Sequence, residues 1–220
     1  MDIERRDISF EEAPEAELTI ETRASGQTAI VGYAAVYNRL SLDLGGFREM
    51  ILPGAFDKVL LRQRGKQDVI AVFNHDPNIL LGRTSSGTLQ LSSDEKGLKY
   101  SVTPPAERAE IISLILRRDV FGSSFAFTVS KDGESFASDA SGAVRSIREV
   151  SGLYDVGPVV NAAYPASTSG IAMRSYEAWK ASQAEAKVEA AVEETPAARI
   201  VRNWVREAAA AWAVVLTHGR

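Results

Sequence analysis

The sequence predicts an α+β protein, with a strand-rich domain over residues 17–174 and a helical tail over residues 175–220. Three observations carry this reading. Runs of β-branched and aromatic residues recur from Leu18 to Val160, separated by Gly, Pro and Asp-rich turn signals. Within that span, Ala55–Arg64 and Ala106–Arg118 carry helical rather than alternating spacing. From Ser175 onward the composition shifts to Ala, Glu and Lys with no strand signal.

Residues 1–16 are polar and acidic, with Glu11, Glu12 and Glu15, and are expected to form an unpaired leader, with order starting near Leu18. Glu17–Thr22 and Ala29–Tyr37, joined through Gly26, predict a hairpin, and Asn38–Gly46 a loop. Phe47–Leu52 is a strand stopped by Pro53-Gly54, and Phe56, Val59 and Leu60 place the following segment on a helix that ends at Gly65. Val69–Phe73 is a continuous apolar run, the pattern of a strand buried on both faces, and it delivers Asn74-His75-Asp76-Pro77 at its end. Leu80–Thr84, Gly87–Leu91 and Gly97–Val102 follow as a meander, and Thr103-Pro104-Pro105 caps the second helix.

In Phe121–Phe127, strand alternation puts Phe121, Phe125 and Phe127 on one face and Gly122, Ser124 and Ala126 on the other. Ser130–Gly142 is predicted as a polar loop. Val144–Val160 is predicted as one or two bent strands, broken at Gly152 and Gly157-Pro158 and carrying Glu149 and Asp155. In an unbulged strand the two acids share a face; a bulge at Gly152 separates them. In the tail, Ser175–Glu193 and Ala197–Leu216 are predicted helices broken at Thr195-Pro196, the second bearing a stripe through Val201, Trp204, Val205, Ala208, Trp212 and Val215.

Composition narrows the function. With 220 residues and 45% hydrophobic content, the chain holds a domain of ordinary size and an appendage. It contains no run of about 18 apolar residues and no charged-then-apolar leader, so neither a membrane span nor a signal peptide is expected, and a cytoplasmic location is. The absence of cysteine excludes a disulfide framework and a thiol nucleophile, and His75 and His218 alone are too few for a structural zinc site; no metal or cofactor is expected. A formal charge of −4 without clustered Lys and Arg argues against nucleic-acid binding.

The chemistry that these residues offer is acyl transfer. A serine hydroxyl needs an imidazole to take its proton, and the imidazole needs a carboxylate to fix its tautomer and stabilise its cation. His75 is the only histidine of the predicted domain, and Ser124, Glu149 and Asp155 are its candidate partners. Asp76, next in the chain to His75, is a poor partner because neighbouring strand residues point apart.

Five blocks in order, Gly32–Tyr37, Glu49–Phe56, Phe73–Asp76 with Leu81–Thr84, Gly122–Phe127, and Leu153–Val159 through Ala163-Tyr164-Pro165, resemble the HK97-type prohead maturation proteases of tailed phages. They cover about residues 17–172. The resemblance implies an assemblin-like fold, a small, mostly antiparallel β-barrel with surrounding helices. It also implies a serine endopeptidase acting inside the immature capsid in the host cytoplasm, on the scaffolding region of the major capsid protein and on itself. The family's Gly-x-Ser-Phe-x-Phe serine falls on Ser124 and its Asn-His-Asp histidine on His75. Ser123 and Ala126 stand where methionine and glycine are expected. Assemblins use a second histidine on the strand after the serine; here an acid must substitute, Glu149 as first choice and Asp155 as second. The tail is expected to dock to scaffold or to a second copy. The alternative is a non-enzymatic assembly protein that keeps the protease fold.

Overall fold

The computed structural model describes residues 3–9, 17–24, 26–63, 67–139, 142–160, 170–193, 200 and 204. The chain divides into two compact units, 1–174 and 175–220. Along the chain come β1 (Glu4–Ser9), β2 (Thr19–Thr22), β3 (Thr28–Val36), β4 (Phe47–Ile51), α1 (Asp57–Gln63), β5 (Ile70–Phe73), β6 (Asp76–Arg83), β7 (Leu89–Ser93) and β8 (Gly97–Val102). After them come α2 (Ala109–Leu116), β9 (Gly122–Val129), β10 (Glu134–Asp139), β11 (Gly142–Ile147), β12 (Val150–Val159) and α3 (Gly170–Glu193).

The protein is mixed α+β, as the sequence predicts, with most of its strand pairs antiparallel. The described strands form three sheets: β1-β9-β12-β5-β6, β10-β11-β4 and β2-β3-β8-β7. No closed barrel is found among the described residues, because each sheet ends in edge strands. Two pairs, β12 with β5 and β11 with β4, are parallel.

The aromatic face of β9 behaves as its alternation predicts. Phe125 and Phe127 stack with ring centroids 4.6 Å apart, and Phe56, at the start of the α1 turn, meets Phe125 edge-on at 5.6 Å. All three rings are buried, and burial of a side chain of this size contributes about 2 kcal/mol. α2 turns Ile111 and Ile115 into the same core and stops near Arg118, whose φ of +64° is a left-handed helix end.

Three sequence expectations change. Residues 4–9 of the expected leader form β1, paired with β9 from Glu4↔Phe127 to Ser9↔Gly122. The polar segment before Gly142 contains β10, held to β11 along its length and anchored by Phe136 edge-on to Phe47 at 5.6 Å. α3 starts at Gly170 instead of Ser175. The second predicted tail helix, apart from Ile200 and Trp204, lies outside the described residues.

The change at β1 has an electrostatic cause. Glu4 and Arg6 share one strand face, and both are buried with Glu49 of β4 and Arg145 of β11. Arg145 donates to Glu4 (2.7 and 2.9 Å), to Glu49 (2.7 Å) and to Glu134 of β10 (2.5 Å). Arg6 donates to Glu49 (2.8 and 2.9 Å) and to Glu4 (2.8 Å). Burial weakens the hold of both guanidiniums on their protons, but the surrounding carboxylates outweigh it and keep both cationic. Four strands are thereby tied together by charges that look solvent-exposed in the sequence.

Candidate active site

His75 sits on the tight connection between β5 and β6. Asn74 and His75 both have positive φ, +53° and +57°, the condition that a two-residue type I′ hairpin sets for its central positions. Asparagine tolerates this readily, whereas histidine in place of the usual glycine costs about 1–2 kcal/mol, a strain typical of functional positions. Asn74 anchors the turn to β12: its N–H donates to the Pro158 carbonyl at 3.1 Å, and its Oδ1 accepts from the Val160 N–H at 2.9 Å.

The turn brings His75 between two side chains far away in sequence. His75 Nδ1 lies 2.7 Å from Asp155 Oδ1, and His75 Nε2 lies 2.5 Å from Ser124 Oγ. Gly157 pairs with Ser124 in the sheet, and a Cβ there would stand 2.0 Å from the Val72 carbonyl oxygen. Only glycine lets β5 approach β12 closely enough to hold His75 against β9.

Of the two acids considered for orienting His75, the geometry brings Asp155 to the imidazole and not Glu149. Glu149 precedes β12, its N–H donating to the Gly133 carbonyl at 3.0 Å, and its carboxylate accepts from Lys58 Nζ at 2.5 Å. Two register shifts, between Val150 and Gly152 and between Leu153 and Asp155, then separate the acids as a bulge was expected to. Asp76 turns away and accepts from the backbone and side chain of Asn78, both at 2.9 Å. Ser123 donates to or accepts from the buried Tyr100 hydroxyl at 3.0 Å and takes no part in the site.

Sequence reasoning missed the contribution of β1. Asp7 pairs with Ser124, its Oδ1 3.8 Å from His75 Nε2, and the Arg6 carbonyl accepts a hydrogen bond from Ser124 Oγ at 3.0 Å. The available signal was the opposite charge of Glu4 and Arg6 two residues apart, the spacing of one strand face. Burial lowers the proton affinity of His75, but hydrogen bonds to Asp155 and Asp7 overcome it and raise its pKa from 6.5 to about 9. With the imidazole protonated, the distances fit Nδ1–H donating to Asp155, Nε2–H to Ser124 Oγ, and the serine O–H to the Arg6 carbonyl; with it neutral, Nδ1–H still donates to Asp155 and Nε2 accepts from the serine O–H. Ser124 is 0% exposed.

Asp7 and Arg6 also line a cavity of about 550 Å³ with apolar walls from Leu40, Leu42, Met50 and Phe125. Among the described residues no three His, Asp or Glu side chains converge as a metal site requires, and no helix is long and apolar enough to cross a membrane.

A serine, an imidazole and a carboxylate in hydrogen-bonded sequence, on a strand-rich α+β scaffold, form the arrangement that serine hydrolases use. A family model for the caudovirus prohead serine proteases matches residues 15–182, and the chain belongs to that family, whose members are hydrolases of phage capsid maturation. At the family level it is a serine peptidase, and membership implies interaction with capsid proteins. No curated protein matched the chain, and no solved structure did.

Proposed function

We propose that the chain is the endopeptidase that cuts the scaffolding region from the major capsid protein inside the prohead, with Ser124 as nucleophile, His75 as general base and Asp155 as the acid that orients it. The observation that carries this reading is the single imidazole bonded to Ser124 through one nitrogen and to Asp155 through the other. Ser124 Oγ attacks the substrate carbonyl while Nε2 of neutral His75 takes its proton. Asp155 holds the Nδ1–H and stabilises the imidazolium as it forms. The imidazolium then protonates the leaving amine, and water hydrolyses the acyl-enzyme by the same route in reverse. The cavity beside Asp7 offers room for a substrate's apolar side chain. Removal of the scaffold makes maturation irreversible, and the same chemistry serves self-cleavage.

The test is co-expression of the wild-type chain or Ser124→Ala with the major capsid protein, reading the capsid protein's N-terminus by intact mass. Trimming by the wild type alone, with both proteins incorporated, supports the reading. Trimming by both removes Ser124 from its role; trimming by neither, although both enter the shell, supports a scaffolding protein instead. The helical tail is proposed to dock to scaffold or to a second copy. Deletion of residues 176–220 is then expected to reduce incorporation while peptidase activity persists.

A further inference from the structure

The N-terminal strand contributes more than an edge to the sheet. β1 begins and ends before residue 15, where the family match starts, yet it lies directly against the strand that bears Ser124. We propose that Asp7 is a positioning residue of the site, acting through His75 from its Nε2 side to hold the imidazolium in the resting chain and so to set the pH at which the base becomes free. This deepens the acyl-transfer reading and rests on it.

The groups facing His75 are Asp155 from β12, Ser124 from β9, and Asp7 and Arg5 from β1, while Asp76 on β6 is engaged by Asn78. Asp155 alone accounts for the Nδ1 side. On the other side, Nε2 faces a serine oxygen at 2.5 Å and a carboxylate at 3.8 Å, both of which favour a proton on that nitrogen. Ser124 has a single hydrogen, and its hydrogen bond to the Arg6 carbonyl directs that hydrogen away from the imidazole. β1 thus acts twice: Asp7 stabilises the proton on Nε2, and the Arg6 carbonyl takes the hydroxyl hydrogen that catalysis must send to Nε2. Base and nucleophile are released together when His75 deprotonates and the hydroxyl rotates. A proton at Nε2 is also the one the leaving amine receives, so Asp7 favours the imidazolium midway through the reaction at the expense of free base at its start.

Two of the four charges of β1 act on His75 with opposite sign, Asp7 raising its proton affinity and Arg5 lowering it. That opposition separates electrostatic action from a mere disturbance of the strand. The experiment follows the His75 imidazole resonances against pH in the full chain, with His218→Gln removing the only other histidine. Asp7→Asn is expected to lower the His75 midpoint by about one pH unit, a tenfold loss of proton affinity, and Arg5→Gln to raise it by a smaller amount. Asp7→Glu is expected to restore part of the loss, and the acid limb of kcat/KM to move with the midpoint. Shifts of opposite sign support the proposal. Equal midpoints, or both variants moving the same way, overturn it. If Asp7→Asn does not fold, the Arg5→Gln and Asp7→Glu titrations decide by the same signs. The resonances report on His75 whether or not the chain cleaves a peptide, so failure of the peptidase reading, seen in the Ser124→Ala comparison, is distinguishable from failure here.

Discussion

The candidate site and the buried charge network both bring together residues distant in sequence, the site on β9, β12 and the β5–β6 turn and the network on β1, β4, β10 and β11, yet they differ in what holds them. At the site, His75 is presented by a local turn, and its partners lie on the two adjoining strands β9 and β12. In the network, Arg6 and Arg145 bind Glu4, Glu49 and Glu134, drawn from four strands in two sheets. The site is partly exposed at His75 and Asp155 and holds the Ser124 hydroxyl beneath them, whereas in the network the carboxylates of Glu4 and Glu49 are buried and accept from guanidinium hydrogens. The difference teaches that one secures a reaction geometry and the other secures β1. Substitutions should therefore separate rate from stability.

The largest effect is expected on rate. Ser124→Ala should lower capsid-protein cleavage by about 10⁴-fold or more, while the urea unfolding midpoint moves by no more than loss of one or two hydrogen bonds allows, about 1–2 kcal/mol. The network should show the reverse. Arg145→Ala leaves Glu4 and Glu49 buried with fewer counter-charges, and is expected to destabilise the fold by about 3–5 kcal/mol in denaturant titration. A full loss of stability with Ser124→Ala, or an unchanged midpoint with Arg145→Ala, would erase the contrast.

This contrast also explains what was legible in the sequence. Ser124 and His75 stand in short motifs whose chemistry is local: a serine among small residues on a strand face, and a histidine after an apolar strand. The β2–β3 hairpin, the β7–β8 pair and the aromatic face of β9 were legible for the same reason, since period and turn chemistry act over a few residues. β1 was not. Its residues Glu4-Arg5-Arg6-Asp7 are uniformly charged, and the partners that bury Glu4 and Arg6 lie 141 and 43 positions away. The choice between Glu149 and Asp155 turned on register, because residue spacing fixes a face only in the absence of bulges, and two shifts intervene before the acid that lies beside the imidazole. Strand closure was inferred from resemblance, and among the described residues the pairing gives three sheets and no closed barrel.

Protonation sharpens the comparison on a third axis. His75 holds its proton more tightly when folded than when unfolded, so its stabilising contribution is complete below pH 6.5 and is lost as pH rises through about 9. The difference in unfolding free energy between the wild type and His75→Phe should shrink between pH 6 and pH 10. The arginines of the network do not titrate in that window, so the Arg145→Ala deficit should stay constant over it. A His75 contribution that grows with pH would contradict the pairing with Asp155.

The smallest effect tests the assignment of the acid. Glu149 is bonded to Lys58, whose side chain is 63% exposed, and exposed ion pairs of this kind contribute about 0–1 kcal/mol. Glu149→Gln should therefore change cleavage less than about twofold and leave the His75 titration in place. Asp155→Asn removes the charge that fixes the imidazole from Nδ1, and should lower both the His75 midpoint and the cleavage rate, the latter by about 10⁴-fold. If the two substitutions exchange these outcomes, the acid acting in solution is the one the register sends to the surface, and β12 must then slide along β9 before the enzyme works.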